Sequence, residues 1–122
     1  MVESIVIICE DSPFGKNSAI ESIRMAAGIL AVGDIEDCKI IFMGDAIYFF
    51  SKNLNPEALN IDPFTSILRL LELSGLEIFI HDEALEIAGL DQSDLISIDT
   101  MNIISIKEIS QILQEADVCF HY

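Results

Sequence analysis

Three short apolar runs constrain this chain more than any other feature of its sequence. They are Ile5–Cys9 ("IVIIC"), Cys38–Met43 ("CKIIFM") and Leu76–Ile80 ("LEIFI"). A strand with one face in water alternates apolar and polar residues, whereas a strand buried on both faces does not. Between these runs lie segments with apolar residues three or four apart, the spacing of a half-buried helix. Strands that alternate with helices build a parallel sheet with helices on its faces. The expectation is a three-layer, flavodoxin-like α/β domain over residues 1–122, with a five-stranded, mainly parallel sheet.

The intervening segments fill in the order. Ser18–Ala31 predicts a helix with Ile20, Ile23, Ala27 and Leu30 on one stripe and a Ser18/Glu21 capping box at its start. After the second strand, Ala46, Ile47, Phe49 and Phe50 predict a helical turn with more apolar surface than a solvated loop carries. Ile47, Phe49 and Phe50 are therefore read as an interface for a partner. Asn53 to Pro63 reads as irregular, and Asp62-Pro63 as the start of a second helix bearing Phe64, Ile67, Leu68 and Leu71. Asp82–Ala88 is a short helix stopped by Gly89. Leu95–Ile98 ("LISI") is a fourth strand. Ser105 and Glu108 cap a last helix with Ile109, Ile112 and Leu113 inside, and "DVCFHY" supplies the fifth strand. No helix follows it, which predicts an uncovered face beside that strand.

Charge narrows the range of partners. The chain carries 21 acidic and 6 basic residues, a net charge of -15. Nucleic-acid binding needs clustered Lys and Arg to neutralise phosphates, and here Lys16, Arg24, Lys39, Lys52, Arg69 and Lys107 are scattered. Direct contact with nucleic acid or an anionic membrane is excluded on that ground. A hydrophobic fraction of 52% argues for a folded domain over an acidic disordered tail. The longest apolar window, Met25 to Val32, falls far short of the roughly 20 residues a spanning helix needs. Three cysteines without CxxC spacing give neither a disulfide framework nor a zinc pattern. A cytoplasmic protein with reduced thiols is expected.

In open α/β sheets, ligands sit beyond the carboxyl ends of the strands at the switch point, taken here between the first and third strands. That rule selects Glu10–Asn17, Gly44–Ala46 and His81–Glu83. The turn "EDSPFGKN" ends in Gly15-Lys16, as a phosphate loop does, but Glu10 replaces its first glycine and Asn17 its hydroxyl residue. A phosphoacceptor receiver is excluded because no lysine follows the fifth strand. Glu10, Asp11, Asp45, His81 and Asp82 offer a carboxylate–imidazole mixture. Their simpler reading is that Asp45 and Asp82 cap short helices while Glu10 and Asp11 are solvated, so neither a metal nor another cofactor is expected. Cys9 ends the first strand beside two acids, which raise a thiol pKa and blunt it. Cys38 and Cys119 read as packed small hydrophobes.

Four stretches carry a wider resemblance: "IVIICEDSPFGKNSAIESI", "FMGDAIYFF", "LRLLELSGLEIFIHDEALEIAGL" and "ADVCFHY". In order and spacing they resemble the DsrE/DsrF/DsrH family, which includes the TusB, TusC and TusD sulfur-relay proteins, and are most similar to its DsrF/TusC-type branch. The resemblance implies that Pro13, Phe14 and Gly15 form one wall of a pocket shared with Glu10, Asp11, Asp45, His81 and Asp82. It also implies a persulfide-carrying cysteine just after the third strand, at the head of the short helix. Eight residues before Gly89, that place holds His81.

Three readings follow from that departure. The chain is a non-catalytic DsrF/TusC-like subunit of a persulfide relay, or a stand-alone relative binding a small ligand or metal near His81, or an acid–base enzyme using His81 with Asp82 or Glu83. For catalysis, His81 and Cys9 are the only candidates. Family relatives imply a homo-oligomer, or a hetero-oligomer with DsrE/DsrH-like (TusD/TusB-like) paralogues.

Overall fold

A computed structural model describes residues 2–13, 17–52 and 65–122. The expected stripe residue Phe64, the Asp62-Pro63 helix start, the Asn53–Pro63 segment and the Phe14-Gly15-Lys16 part of the first turn lie outside the described residues. Five strands are present: β1 (Ser4–Cys9), β2 (Asp37–Phe42), β3 (Glu77–His81), β4 (Met101–Ile104) and β5 (Val118–His121). They form one sheet in the order β4-β3-β2-β1-β5. Each pairing between neighbours is parallel.

The buried runs explain this sheet. Successive side chains of a strand point to opposite faces, and both faces are covered here. Ile5, Ile7 and Cys9 of β1 join Ile40, Phe42, Ile78 and Ile80 in one core cluster. Against that face pack α1 (Ser18–Val32), α2 (Thr65–Ser74) and α3 (Asp82–Ala88), through Ile23, Leu71 and Leu85 among others. The alternate residues Val6, Ile41 and Phe79 face the other way. They meet α4 (Ile106–Glu115), whose Ile109 is buried. The three expected layers are formed, and the cluster on the first face is much the larger of the two among the described residues.

Local capping chemistry holds at one helix and changes at another. Ser105 is the N-cap of α4 and its hydroxyl accepts from Glu108 N at 3.3 Å, as its spacing predicts. At α1 the N-cap is Asn17, with no side-chain cap bond, and Ser18 is already helical. The Ser18 hydroxyl instead donates to Asp11 Oδ2 at 3.2 Å. The expected capping box is replaced by a tie between the helix and the turn after β1.

Two further expectations are corrected. Leu95–Ile98 is not the fourth strand: Leu95 makes an antiparallel bridge with Ser51, and Ile96 N donates to Phe50 O at 2.8 Å. β4 is the next apolar run, where Met101, Ile103 and Ile104 bury on the two faces beside β3. Both tetrapeptides have strand composition, and sheet packing selects the second. The interface assigned to Ile47, Phe49 and Phe50 is also not found. These residues, on a 3₁₀ helix over Gly44–Phe50, are buried in the chain's own core, where Phe50 packs edge-on against Phe42 with ring centroids 4.7 Å apart.

The strand order also moves the switch point. The chain runs outward from β1 through β4, then returns to place β5 on the other side of β1. The reversal therefore lies between β1 and β5, not between the first and third strands. β5 is an edge strand, and Cys119 to Tyr122 are exposed along it. Cys119 is thus not a packed small hydrophobe.

Candidate functional site

A cleft of about 570 Å3 opens at the carboxyl ends of β1, β2 and β3. Glu10 and Asp11 enter it from the turn after β1, and Asp45 and Tyr48 from the 3₁₀ helix after β2. His81 enters from the end of β3, and Ala84, Ile87 and Ala88 from α3. Four of the residues read as pocket residues, Glu10, Asp11, Asp45 and His81, thus line one cleft. Asp82 does not line it, although its Oδ1 lies 3.9 Å from His81 Nε2. Pro13 is buried and also outside the lining. Phe14 and Gly15 lie outside the described residues.

Backbone geometry brings the first two walls together. Met43 N donates to Cys9 O at 2.9 Å, which prolongs the β1–β2 pairing by one step. Gly44 then takes φ +53°, and a Cβ there would lie 3.2 Å from Glu10 O. Glycine adopts this left-handed conformation without steric cost and leaves room for the Glu10 carbonyl. The chain can therefore turn directly from β2 into the cleft and present Asp45 opposite Glu10 and Asp11.

The end of β5 forms a flank. Tyr122 N donates to Ile8 O at 2.8 Å, and Glu10 N donates to Tyr122 O at 3.3 Å. His121 Nε2 stands 3.2 Å from Glu10 Oε2, with both side chains about half exposed or more. Sequence reasoning missed this contact because it depends on β5 lying beside β1.

His81 occupies the N-cap position of α3, yet its side chain makes no capping bond. Only 13% of its side-chain surface is exposed. Its Nε2 is buried and has no hydrogen-bond partner among the described residues. The 3.9 Å separation from Asp82 exceeds hydrogen-bond length, and Asp82 Oδ1 instead accepts from Glu83 N at 2.7 Å. Asp45 does not cap its helix either, since Met43 holds that position without a side-chain bond. The simple reading of Asp45 and Asp82 as caps therefore fails for Asp45 and holds only locally for Asp82. Among the described residues, no three His, Cys, Asp or Glu side chains converge as a metal site.

The thiols lie elsewhere. Cys9 is fully buried, and burial pushes its pKa up to about 11, with Asp11 and Glu10 adding smaller increases against hydrogen bonds from Ser22 and the Asp11 backbone. Burial and the neighbouring Asp37 likewise hold Cys38 at about 11, with Lys39 opposing. Cys119, on the exposed edge, is raised by partial burial. Since thiolate is the nucleophile, Cys9 is unsuited to the reactive role for which it was a candidate.

A five-stranded parallel sheet with helices on both faces and a mixed acidic and apolar cleft beyond its strand ends defines a flavodoxin-like α/β domain. The profile of the DsrE/DsrF-like family matches residues 3–122, and the chain belongs to that family. It is 27% identical over 116 residues to a protein named TusC homolog from Vibrio parahaemolyticus, covering 94% of this chain and 95% of that protein. It is 19% identical over 135 residues to the intracellular sulfur oxidation protein DsrF of Allochromatium vinosum, covering 100% and 98%. Among solved structures, the ychN protein from E. coli superposes with a TM-score of 0.79 at 20% identity, covering 98% of this chain and 99% of that one. Protein MTH1491 from Methanobacterium thermoautotrophicum gives 0.62 at 13%, with full coverage of both chains. At these identities the two structures speak to the fold alone. Among the described residues, no helix is long and apolar enough to cross a membrane.

Proposed function

We propose that this chain is a non-catalytic, DsrF/TusC-like subunit of an intracellular persulfide relay, assembled with cysteine-bearing DsrE/DsrH-like paralogues. The observation that carries the reading is the occupant of the strand-end cleft. The resemblance to the family puts the sulfur-carrying cysteine at the end of β3, and the side chain there is His81. No cysteine lines the cleft among the described residues. The two buried thiols, with pKa values near 11, are protonated at neutral pH and so lack nucleophilic thiolate. The third thiol, Cys119, lies on the exposed edge of β5 and outside the cleft lining, so sulfur transfer at the cleft then falls to a partner's cysteine, and this chain contributes structure and one wall of shared surface. The match to the TusC homolog and to DsrF over nearly the whole chain supports the same branch. The His81–Asp82 separation gives no support to an acid–base enzyme.

Sulfur loading tests this reading. The purified chain is incubated with a low-molecular-weight persulfide and its intact mass measured, then peptides are mapped. The reading predicts no sulfur on Cys9 or Cys38. Stoichiometric persulfide on Cys9, abolished in Cys9→Ser, overturns it.

A further inference from the structure

We propose that a second cavity, beside the outer strand β4 and separate from the cleft, binds a small free aliphatic carboxylate. The cavity holds about 240 Å3. β4 contributes Met101 and Ile103 to its lining, and the segment before β4 contributes Leu95, Ile96 and Ile98. Leu95 belongs to the larger core cluster and the other four pack against it, so the fold itself holds this apolar wall. Lys52, Gln92 and Ser97 supply the polar groups. Backbone pairing places the lysine. Ser51 bridges Leu95 in antiparallel fashion, Ile96 N donates to Phe50 O at 2.8 Å, and Lys52 N donates to Asp94 O at 2.8 Å.

Charge selects the ligand. The chain carries a net charge of -15, yet no acid lines this cavity among the described residues. Arg24 and Lys39 are paired with Glu21 and Asp37, whereas the Lys52 ammonium has no partner among the described residues. The acids nearest in sequence, Asp91 and Asp94, cap each other's backbone instead. Salt screens the remote carboxylates beyond about 8 Å at physiological ionic strength, so the local cation decides. Mostly apolar walls with a few polar groups are the make-up of a small-molecule site. Lys52 offers a point charge, and Gln92 and Ser97 offer neutral donors, which together suit one carboxylate. A phosphate favours bidentate arginine or a nest of backbone amides, and the cavity has no arginine among its described lining. The carboxyl end of a polypeptide would bring peptide groups against apolar walls that cannot pair them. A free acid with a short hydrocarbon body fits both parts of the lining.

The test uses the full chain alone, because this cavity is independent of the subunit reading. Amide NMR spectra are recorded at constant ionic strength during titration with sodium butyrate, hexanoate and octanoate. Saturable shifts are expected at Lys52, at residues 95–98 and at residues 101–103. Affinity should rise about threefold to fourfold per added methylene until the cavity is full, and then stop rising. Hexanamide, which keeps the body and loses the charge, should bind about tenfold more weakly than hexanoate. Sodium sulfate should not bind, and Nα-acetylvaline, a mimic of a polypeptide end, should bind more weakly than hexanoate. Lys52 is exposed, so Lys52→Gln leaves the fold intact and should bring hexanoate down to the affinity of hexanamide. Lys107→Gln, on α4 and outside the cavity, should leave binding unchanged. Should Lys52→Gln fail to fold, the hexanamide comparison on the parent chain decides alone. Scattered or non-saturating shifts, an affinity that climbs without limit along the series, hexanamide or Nα-acetylvaline binding as well as hexanoate, or a folded Lys52→Gln that binds unchanged overturns the proposal. Each of these results leaves the subunit reading standing, because that reading is judged by sulfur loading and assembly.

Discussion

The carbonyl oxygen of Glu10 lies 3.2 Å from the point a Cβ on Gly44 would occupy, and Gly44 holds φ +53°. That close approach joins the turns after β1 and β2, whose residues Glu10, Asp11, Gly44 and Asp45 line the cleft. Gly44→Ala should lower unfolding stability by about 1 to 2 kcal/mol, the cost of a left-handed non-glycine residue, with the tight contact adding to it. Urea unfolding measures the loss. A neutral result shows that the turn can relax without this approach.

Cys9 and Cys38 should be silent to thiol reagents in the folded chain, and Cys119 should react. Under native conditions at pH 7.5, Ellman's reagent (~0.1 mM, a working concentration chosen for thiolate-limited reaction) should report Cys119 alone. All three should react in denaturant. Fast native labelling of Cys9 contradicts its burial.

The same two thiols imply a pH dependence. Their folded pKa values of about 11 exceed the ordinary 9.0, so the unfolded chain loses these protons first as pH rises. Their contribution to stability is complete below pH 9 and is lost between pH 9 and 11. The loss is at most about 1.4 kcal/mol per pH unit for each thiol. In unfolding measured across that range, a Cys38→Ala variant should show a shallower decline than the parent chain.

Phe50 and Ile87 should behave oppositely. Phe50 is fully buried and Ile87 is 88% exposed. Phe50→Ala should cost about 3 to 5 kcal/mol of folding stability, while Ile87→Ser should stay within about 0.5 kcal/mol. Thermal and urea unfolding of the two variants check this. A mild Phe50→Ala returns the 3₁₀ helix to the surface role its composition first suggested.

That reversal shows what the sequence conveys. Continuous runs such as Ile5–Cys9 announce double-sided burial directly, so the parallel sheet and its layers were legible, as was the Ser105 cap. Phe49 and Phe50 were legible as apolar but not as internal, because only the return of the chain over β2 shows which surface receives them. Leu95–Ile98 and Met101–Ile104 have equal claims as strands until β3 offers a pairing edge. Glu10, Asp11 and Asp45 meet at one cleft because the turns after parallel strands leave the same end of the sheet, whereas Asp82, expected with them, does not line it. The His121–Glu10 contact stayed hidden, since it depends on β5 returning beside β1. That His81 Nε2 finds no hydrogen-bond partner among the described residues is a property of packing, and no spacing in the sequence encodes it.

Assembly is the most direct test of the subunit account. Native mass spectrometry of this chain co-expressed with DsrE-like and DsrH-like paralogues from the same organism should give a mixed oligomer of fixed stoichiometry, with sulfur carried on the partner's cysteine. A chain that stays monomeric in the presence of those partners, under the same conditions, contradicts it.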